Sequence, residues 1–272
     1  MSWFEAVVLA LVQGVTEFLP VSSSAHLLLV PFLFGWADQG LAFDVAVHLG
    51  TLVAVVSYFW KDIKPMIYHG LQTLTPRPAP DPEGYGRLAW GVVIATLPIG
   101  MLGLLLSDVV ENHLRSVLVL ALATMVFGVL LGWAEKRSQN NAAQKGLRYL
   151  TWQSALGFGF AQCLAMIPGT SRSGITLTAG LWLGFDKESA AKFSFLMSIP
   201  TILLAGLLHT VKLAKSDLPV DWGAMGIGIL VSMVAGYLCI RLFMQALAKI
   251  PLMVYVYYRL GLGLVLLWLY YR

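Results

Sequence analysis

Two stretches decide the fold: Leu19-Pro20-Val21-Ser22-Ser23-Ser24 and, in the second half of the chain, Pro168-Gly169-Thr170-Ser171-Arg172-Ser173-Gly174. Each closes an apolar run, residues 2–16 and 151–167. As helices at 1.5 Å per residue these runs reach only about 22–26 Å, short of a hydrocarbon core roughly 30 Å thick. Neither run can simply continue as helix. Proline disfavours helical geometry in its predecessor, while serine and threonine readily cap a new helix. The expectation is two re-entrant hairpins, each entering a membrane from one face, breaking at mid-depth and returning to that face. Broken backbone is tolerated there only when enclosed by protein or lining a wet cavity. Two ordinary spans interrupted by kinks would leave the polar breaks without a purpose.

The surroundings of the breaks are those of a membrane protein. Of 272 residues, 58% are hydrophobic and 12% charged, and the mean hydropathy is +0.76. A soluble globule of this size carries about twice that charged fraction. The runs 41–60, 88–106, 117–133, 193–208, 222–240 and 251–271 are almost uncharged. Each is near the roughly 20 residues that a spanning helix needs. A lone strand would leave its backbone unpaired in lipid. The first apolar run leads into a polar motif rather than a small-residue cleavage site, so no removable leader is expected. Cys163 and Cys239 lie in apolar surroundings without metal-ligand spacing and read as buried small hydrophobes. The net charge of +4 is scattered over short loops and offers no basic face to a nucleic acid.

The order of features recurs along the chain. An apolar run breaks at Pro20 or Pro168, hydroxyls follow, and a second run ends near Gly35 or Gly184. Phe43-x7-Thr51 then matches Phe193-x7-Thr201, and each unit adds three long apolar segments. This predicts an all-α polytopic membrane protein, a single membrane domain over 1–272. Six transmembrane helices plus two re-entrant helical hairpins would form inverted-topology repeats over 1–137 and 148–272. With an odd number of crossings per half, the breaks enter from opposite sides and meet near the middle. One side would hold Lys61, Lys64, Arg77, Arg87, Lys136, Arg137, Lys145, Arg148, Lys187, Lys192, Arg241 and Lys249. The other would hold Arg115, Lys212, Lys215, Arg259 and Arg272. Twelve cations against five make the first side cytoplasmic and put both termini outside. The proline-rich segment 61–87 and the polar run 135–145 read as wetted surface links. Six spans already enclose a core, so a homodimer would be an addition rather than a folding requirement.

The polar groups at the breaks carry the chemistry. Gln13 and Glu17 are one helical turn apart, followed by Ser22, Ser23, Ser24 and His26. A carboxylate in a lipid-compatible element needs a cation, either a divalent metal or an arginine. His26 can serve as base, acid, nucleophile or ligand. The second break offers Thr170, Ser171, Arg172, Ser173 and Gly174. Arginine's planar fork suits phosphate oxygens, hydroxyls add donors, and N–H groups at a helix start favour an anion. Brought together, the two sets would suit a pyrophosphate. Asp44 and His48, one turn apart, fit the lining of the same cavity. His69 and His113 fall in expected loops and His209 near a span end. Trp3, Trp90, Trp133, Trp152, Trp222 and Tyr257 read as interfacial anchors.

The run Gln13-Gly-Val-Thr-Glu-Phe-Leu-Pro-Val-Ser-Ser-Ser-Ala-His26 resembles the first signature of the bacitracin-resistance family of undecaprenyl pyrophosphate phosphatases. Pro168-Gly-Thr-Ser-Arg-Ser-Gly174 resembles the second, and the likeness extends over essentially the whole chain. It implies hydrolysis of undecaprenyl pyrophosphate to undecaprenyl phosphate plus inorganic phosphate, assisted by a divalent cation, Mg2+ or Ca2+. It further implies recycling of the lipid carrier for cell-wall synthesis, bacitracin resistance, and a place in the bacterial inner membrane with the site open to the periplasm. Glu17, Ser23, His26 and Arg172 fall on the family's catalytic positions. Gln13 falls where relatives have glutamate or glutamine, so Glu17 and Gln13 would hold the metal with one carboxylate between them. Ala25 stands where many relatives have glycine. Ser22, Ser24, Thr170, Ser171, Ser173 and Gly174 are expected at the substrate. Attack by Ser23, by His26 or by a Glu17-activated water all satisfy the sequence. A polyprenyl-phosphate flippase or secondary transporter is the alternative, since broken helices in inverted repeats recur among transporters. The chemistry at the breaks favours the phosphatase.

Overall fold

The computed structural model describes residues 1–114, 116–140, 144–215 and 220–272, but not the side chains of 107–113. Arg115 and the His113 side chain therefore lie outside the described residues. In chain order the helices are α1 (Trp3–Thr16), α2 (Ser23–Phe34), α3 (Gly40–Tyr58), α4 (Trp60–Gln72), α5 (Tyr85–His113) and α6 (Val117–Gln139). The second half continues with α7 (Trp152–Cys163), α8 (Arg172–Trp182), α9 (Lys187–Ala214), α10 (Trp222–Ala246) and α11 (Met253–Tyr271). Six of these, α3, α5, α6, α9, α10 and α11, are long and apolar enough to cross a membrane, and they coincide with the six uncharged runs. Among the described residues the only strand-like pairing is one bridge between Lys145 and Phe185.

Local chemistry sets several helix starts. Ser2 and Glu5 form a reciprocal capping box at α1, with bonds of 3.2 and 3.0 Å. Thr151 and Ser154 do the same at α7. Asp186 accepts the Ser189 N–H at 2.7 Å before α9, and Asp221 accepts the Ala224 N–H at 3.0 Å before α10. Each satisfies an N–H that the first turn leaves orphaned.

Small residues let the helices close on one another. A Cβ on Gly14 of α1 would stand 2.7 Å from Ala235 Cβ and 2.8 Å from the Ser232 carbonyl of α10. One on Gly50 of α3 would overlap Ser232 itself. Close backbone approach of this kind replaces a hydrophobic driving force that lipid does not supply. In the second half α7 rests on α5, where a Cβ on Gly159 would meet the Ala95 carbonyl at 2.5 Å. Helix α11 packs along α6, and α8 lies against α6 and α9. An edge-to-face pair of Phe18 and Phe195, 5.5 Å between centroids, seals the core beside the first break.

Three expectations change. Residues 60–72 are helix rather than extended link, because Ile63, Met66 and Gly70 recur at helical spacing and the last two are buried. His69 is accordingly in α4, its ring 6.5 Å from Tyr85 and nearly parallel to it. Glu135 is not a wetted connector. Helix α6 runs on past Trp133, and that extra turn carries the carboxylate inward to zero exposure. There it pairs with Lys187 and accepts the Leu252 and Met253 N–H groups at 2.8 and 2.9 Å, capping α11. Arg259 is not an outer-loop cation: it sits inside α11 with zero exposure. Its removal leaves Lys212, Lys215 and Arg272 as the described cations of that side, so the direction of the charge bias is unchanged.

Candidate active site

The two breaks share an unusual backbone state. Ser22 has φ +78° and Ser171 φ +67°, and they are the two non-glycine residues with positive φ among those described. L-residues avoid this region, at a cost on the order of 1–3 kcal/mol each, and keep it only where surrounding contacts over-determine it. Each strained serine is followed at once by a new helix, α2 from Ser23 and α8 from Arg172. The sharp turn places those two first residues at one point, the Glu17 carboxylate.

Glu17 ends α1 almost fully buried, at 9% exposure, and Gln13 one turn earlier is completely buried. Gln13 Nε2 donates to Glu17 Oε2 at 3.1 Å, and Ser23 Oγ donates to the same oxygen at 2.9 Å. Arg172 Nη2 donates to Glu17 Oε1 at 3.1 Å, so the cation that the buried carboxylate requires is an arginine from the other half. His48 Nε2 stands 3.9 Å from Oε2, while its Nδ1 bonds the Asp44 carbonyl at 2.7 Å. Asp44 thus supports His48 through its backbone. Removing one partner of such a buried pair typically costs about 3–5 kcal/mol, because the other charge is stranded. Arg172 also donates through Nη1 to the Ser194 carbonyl at 3.2 Å. Two of the five guanidinium donors are then committed and three remain.

Further bonds stitch one break to the other. The Gly169 N–H donates to Ser24 Oγ at 3.4 Å, and Ser173 Oγ donates to the Leu19 carbonyl at 2.9 Å. Within each break the hydroxyls pair alike, Ser22 with Ser24 and Ser171 with Ser173, both at 3.2 Å. Ser171 Oγ accepts the Gly174 N–H at 3.2 Å and caps α8. Gly169 has φ +95°, and a Cβ there would overlap the Leu120 carbonyl.

His26 departs from expectation. Its Nδ1 lies 2.7 Å from the Ser22 carbonyl and its Nε2 lies 2.6 Å from the Tyr258 hydroxyl. A carbonyl only accepts, so Nδ1 carries the hydrogen, and in the neutral ring Nε2 accepts from the phenol. Both nitrogens are engaged. A Ser23–His26 pair, with the imidazole taking the serine proton, is not formed, because Ser23 bonds Glu17 instead.

Sequence reasoning missed the two residues on α11 that complete the site. Tyr258 stacks parallel to His26 at 5.7 Å as well as bonding it. Arg259 donates to the carbonyls of Thr124 (2.9 Å), Pro20 (3.4 Å), Gly169 (3.0 Å) and Thr170 (2.8 Å), holding both breaks from below. A lone cation in the otherwise uncharged run 251–271 was the available signal. Two buried polar atoms have no hydrogen-bond partner here, Gln13 Oε1 and Thr170 Oγ1. Chemically the cluster offers a hydroxyl on a carboxylate, a guanidinium with donors to spare, and an unspent amide oxygen, all inside an apolar body.

The family described as "Bacitracin resistance protein BacA" matches residues 6–265. The chain is 50% identical to the undecaprenyl-diphosphatase 2 of Stutzerimonas stutzeri over 270 residues, 99% of each protein. It is 50% identical over 269 residues to the undecaprenyl-diphosphatase of Colwellia psychrerythraea, covering 98% of this chain and 99% of that one. To the undecaprenyl-diphosphatase of Chromohalobacter salexigens it is 51% identical over 267 residues, 98% of each.

Proposed function

The chain belongs to the BacA family of bacitracin resistance proteins, and from that premise we propose that it hydrolyses undecaprenyl pyrophosphate to undecaprenyl phosphate and inorganic phosphate. It is a membrane-embedded phosphatase with a lipid substrate, of the kind whose near full-length relatives are undecaprenyl-diphosphatases. Its place is the bacterial inner membrane, where it recycles the cell-wall lipid carrier and confers bacitracin resistance.

The observation that carries the reading is the line Ser23–Glu17–Arg172, a hydroxyl, a carboxylate and a guanidinium joined by bonds of 2.9 and 3.1 Å. The remaining Arg172 donors hold the terminal phosphate, and the Ser171 hydroxyl joins them by turning from Ser173, whose own proton is spent on the Leu19 carbonyl. Ser23 Oγ attacks its phosphorus while its proton passes to Glu17. The bond to the bridging oxygen breaks, and undecaprenyl phosphate leaves. Water then displaces Ser23 from phosphorus. Glu17 returns the proton to Ser23 Oγ, and the water's proton leaves with inorganic phosphate. Placement and charge stabilisation supply most of the acceleration, as is general for phosphoryl transfer. The two bonds at His26 support a role in fixing the strained Ser22 turn rather than in attack.

The donor set fits a hard divalent cation, Mg2+ or Ca2+. Glu17 offers carboxylate oxygens, and the partnerless Gln13 Oε1 offers a neutral one on the same helix face. Such an ion, when bound, neutralises part of the pyrophosphate charge. The halves 1–137 and 148–272 read as inverted-topology repeats whose short helix pairs re-enter the membrane. The matched strained serines and the reciprocal bonds between the breaks support this. The loop cations support a site facing the periplasm, with both termini outside.

Purified protein in detergent should release phosphate from undecaprenyl pyrophosphate, and Ser23→Ala should abolish release while substrate still binds. A chiral terminal phosphorus should be transferred with net retention. Inversion would eliminate Ser23 as the nucleophile.

A further inference from the structure

Away from the breaks, a cavity of about 370 Å³ opens where α6 and α8 end, on the face that carries the basic loops. Its rim holds Arg137 and Lys145, and its wall is formed by Trp182 and Leu183 with the backbone of Gly184. The Arg137 guanidinium lies 5.0 Å over the Trp182 ring, and Trp133 meets the same ring edge-to-face at 4.7 Å. Among the described residues neither Arg137 nor Lys145 has a carboxylate within ion-pair distance, since Glu135 is spent on Lys187. Leading down α6 from Arg137 is an exposed apolar stripe at helical spacing: Trp133 (57% exposed), Val129 (54%) and Val126 (54%). Two cations without a carboxylate partner at the end of an exposed apolar track about 10 Å long describe a headgroup seat with room for the first part of an acyl chain. A second cavity beside α5 and α7 is lined by a single cation, Arg87, one of whose donors goes to the Arg148 carbonyl at 2.7 Å.

We propose that the Arg137–Lys145 cavity binds the phosphodiester headgroup of an anionic glycerophospholipid, whose acyl chains lie along the Val126–Val129–Trp133 stripe. The chemistry follows from its parts. Arg137 presents a planar donor fork already oriented by the indole, Lys145 adds a point charge, and the Trp pair marks the membrane–water boundary. Basic pockets between membrane helices recognise lipid headgroups on these terms. The site lies outside the catalytic cluster and takes a lipid that the enzyme does not hydrolyse.

The test uses the full chain purified in detergent and mixed with equal amounts of phosphatidylglycerol and phosphatidylcholine. Native mass spectrometry should find phosphatidylglycerol retained at least about fivefold over phosphatidylcholine. In Arg137→Gln/Lys145→Gln the ratio should fall to near one while phosphate release from the pyrophosphate lipid is unchanged. Equal retention of the two lipids by the wild-type protein overturns the proposal. Displacement of the bound lipid by millimolar inorganic phosphate also overturns it, because the site would then recognise free phosphate. If the double variant fails to fold, a second measurement decides. Brominated phosphatidylglycerol should quench wild-type tryptophan fluorescence more than brominated phosphatidylcholine does, and equal quenching again counts against the proposal.

Discussion

The Tyr258 hydroxyl reaches a buried imidazole from a side chain that is itself 49% exposed. Removing that one oxygen leaves the ring stack intact and strips His26 Nε2 of its donor. Tyr258→Phe should therefore keep KM nearly constant and lower kcat about tenfold, the equivalent of roughly 1.4 kcal/mol. Unchanged kcat in the folded variant would remove Tyr258 from the site. At this scale the sequence was legible wherever a polar group stood where lipid should be. Glu17, Ser23 and Arg172 announced themselves in that way, and the structure brings them within bonding distance. Tyr258 did not, since a tyrosine in a membrane helix reads equally well as an interfacial anchor. Arg259 was visible as a cation but misplaced, because its four acceptors are backbone carbonyls from distant segments. Backbone carbonyls carry no sequence signature.

Among the elements, the break before α8 is the tightest joint. Gly169 combines a left-handed φ with no room for a methyl group, whereas Gly35 at the end of α2 has φ +66° with nothing within 4 Å. Gly35→Ala should carry only the backbone strain, about 1–2 kcal/mol. Gly169→Ala should carry the strain and the clash with the Leu120 carbonyl, which belongs to α6. Thermal melting in detergent should show a small shift for Gly35→Ala and a much larger loss, with loss of activity, for Gly169→Ala. Similar shifts for the two would contradict the assigned joint. The six long helices were readable from hydropathy alone, since composition and length fix a spanning segment. Helix α4 was hidden because Pro65 within it and Pro76, Pro78, Pro80 and Pro82 after it favour an extended reading, and only the burial of Met66 and Gly70 reveals its period.

For the whole molecule, the ties between the halves matter more than either half alone. Glu135 on α6 joins Lys187 of α9 and the start of α11, and Glu17 joins Arg172. On the orientation proposed from the loop cations, with the segment 61–87 inside, a single cysteine at Arg77 in a chain lacking Cys163 and Cys239 should resist an impermeant thiol reagent in intact cells. It should react once the inner face is exposed; labelling in intact cells would reverse the topology. The clamp of Arg259 has a consequence for how the protein is made. Thr124, Pro20, Gly169 and Thr170 all precede residue 259 in the chain, so a ribosome delivers every acceptor before the charge that needs them. An arginine left at the centre of a membrane helix is costly, about 2.5–3.5 kcal/mol even on the scale set by the insertion machinery. Helix α11 therefore enters as the last piece of a finished lock. A nascent chain whose breaks have not yet met would present that cation with none of its four acceptors in place.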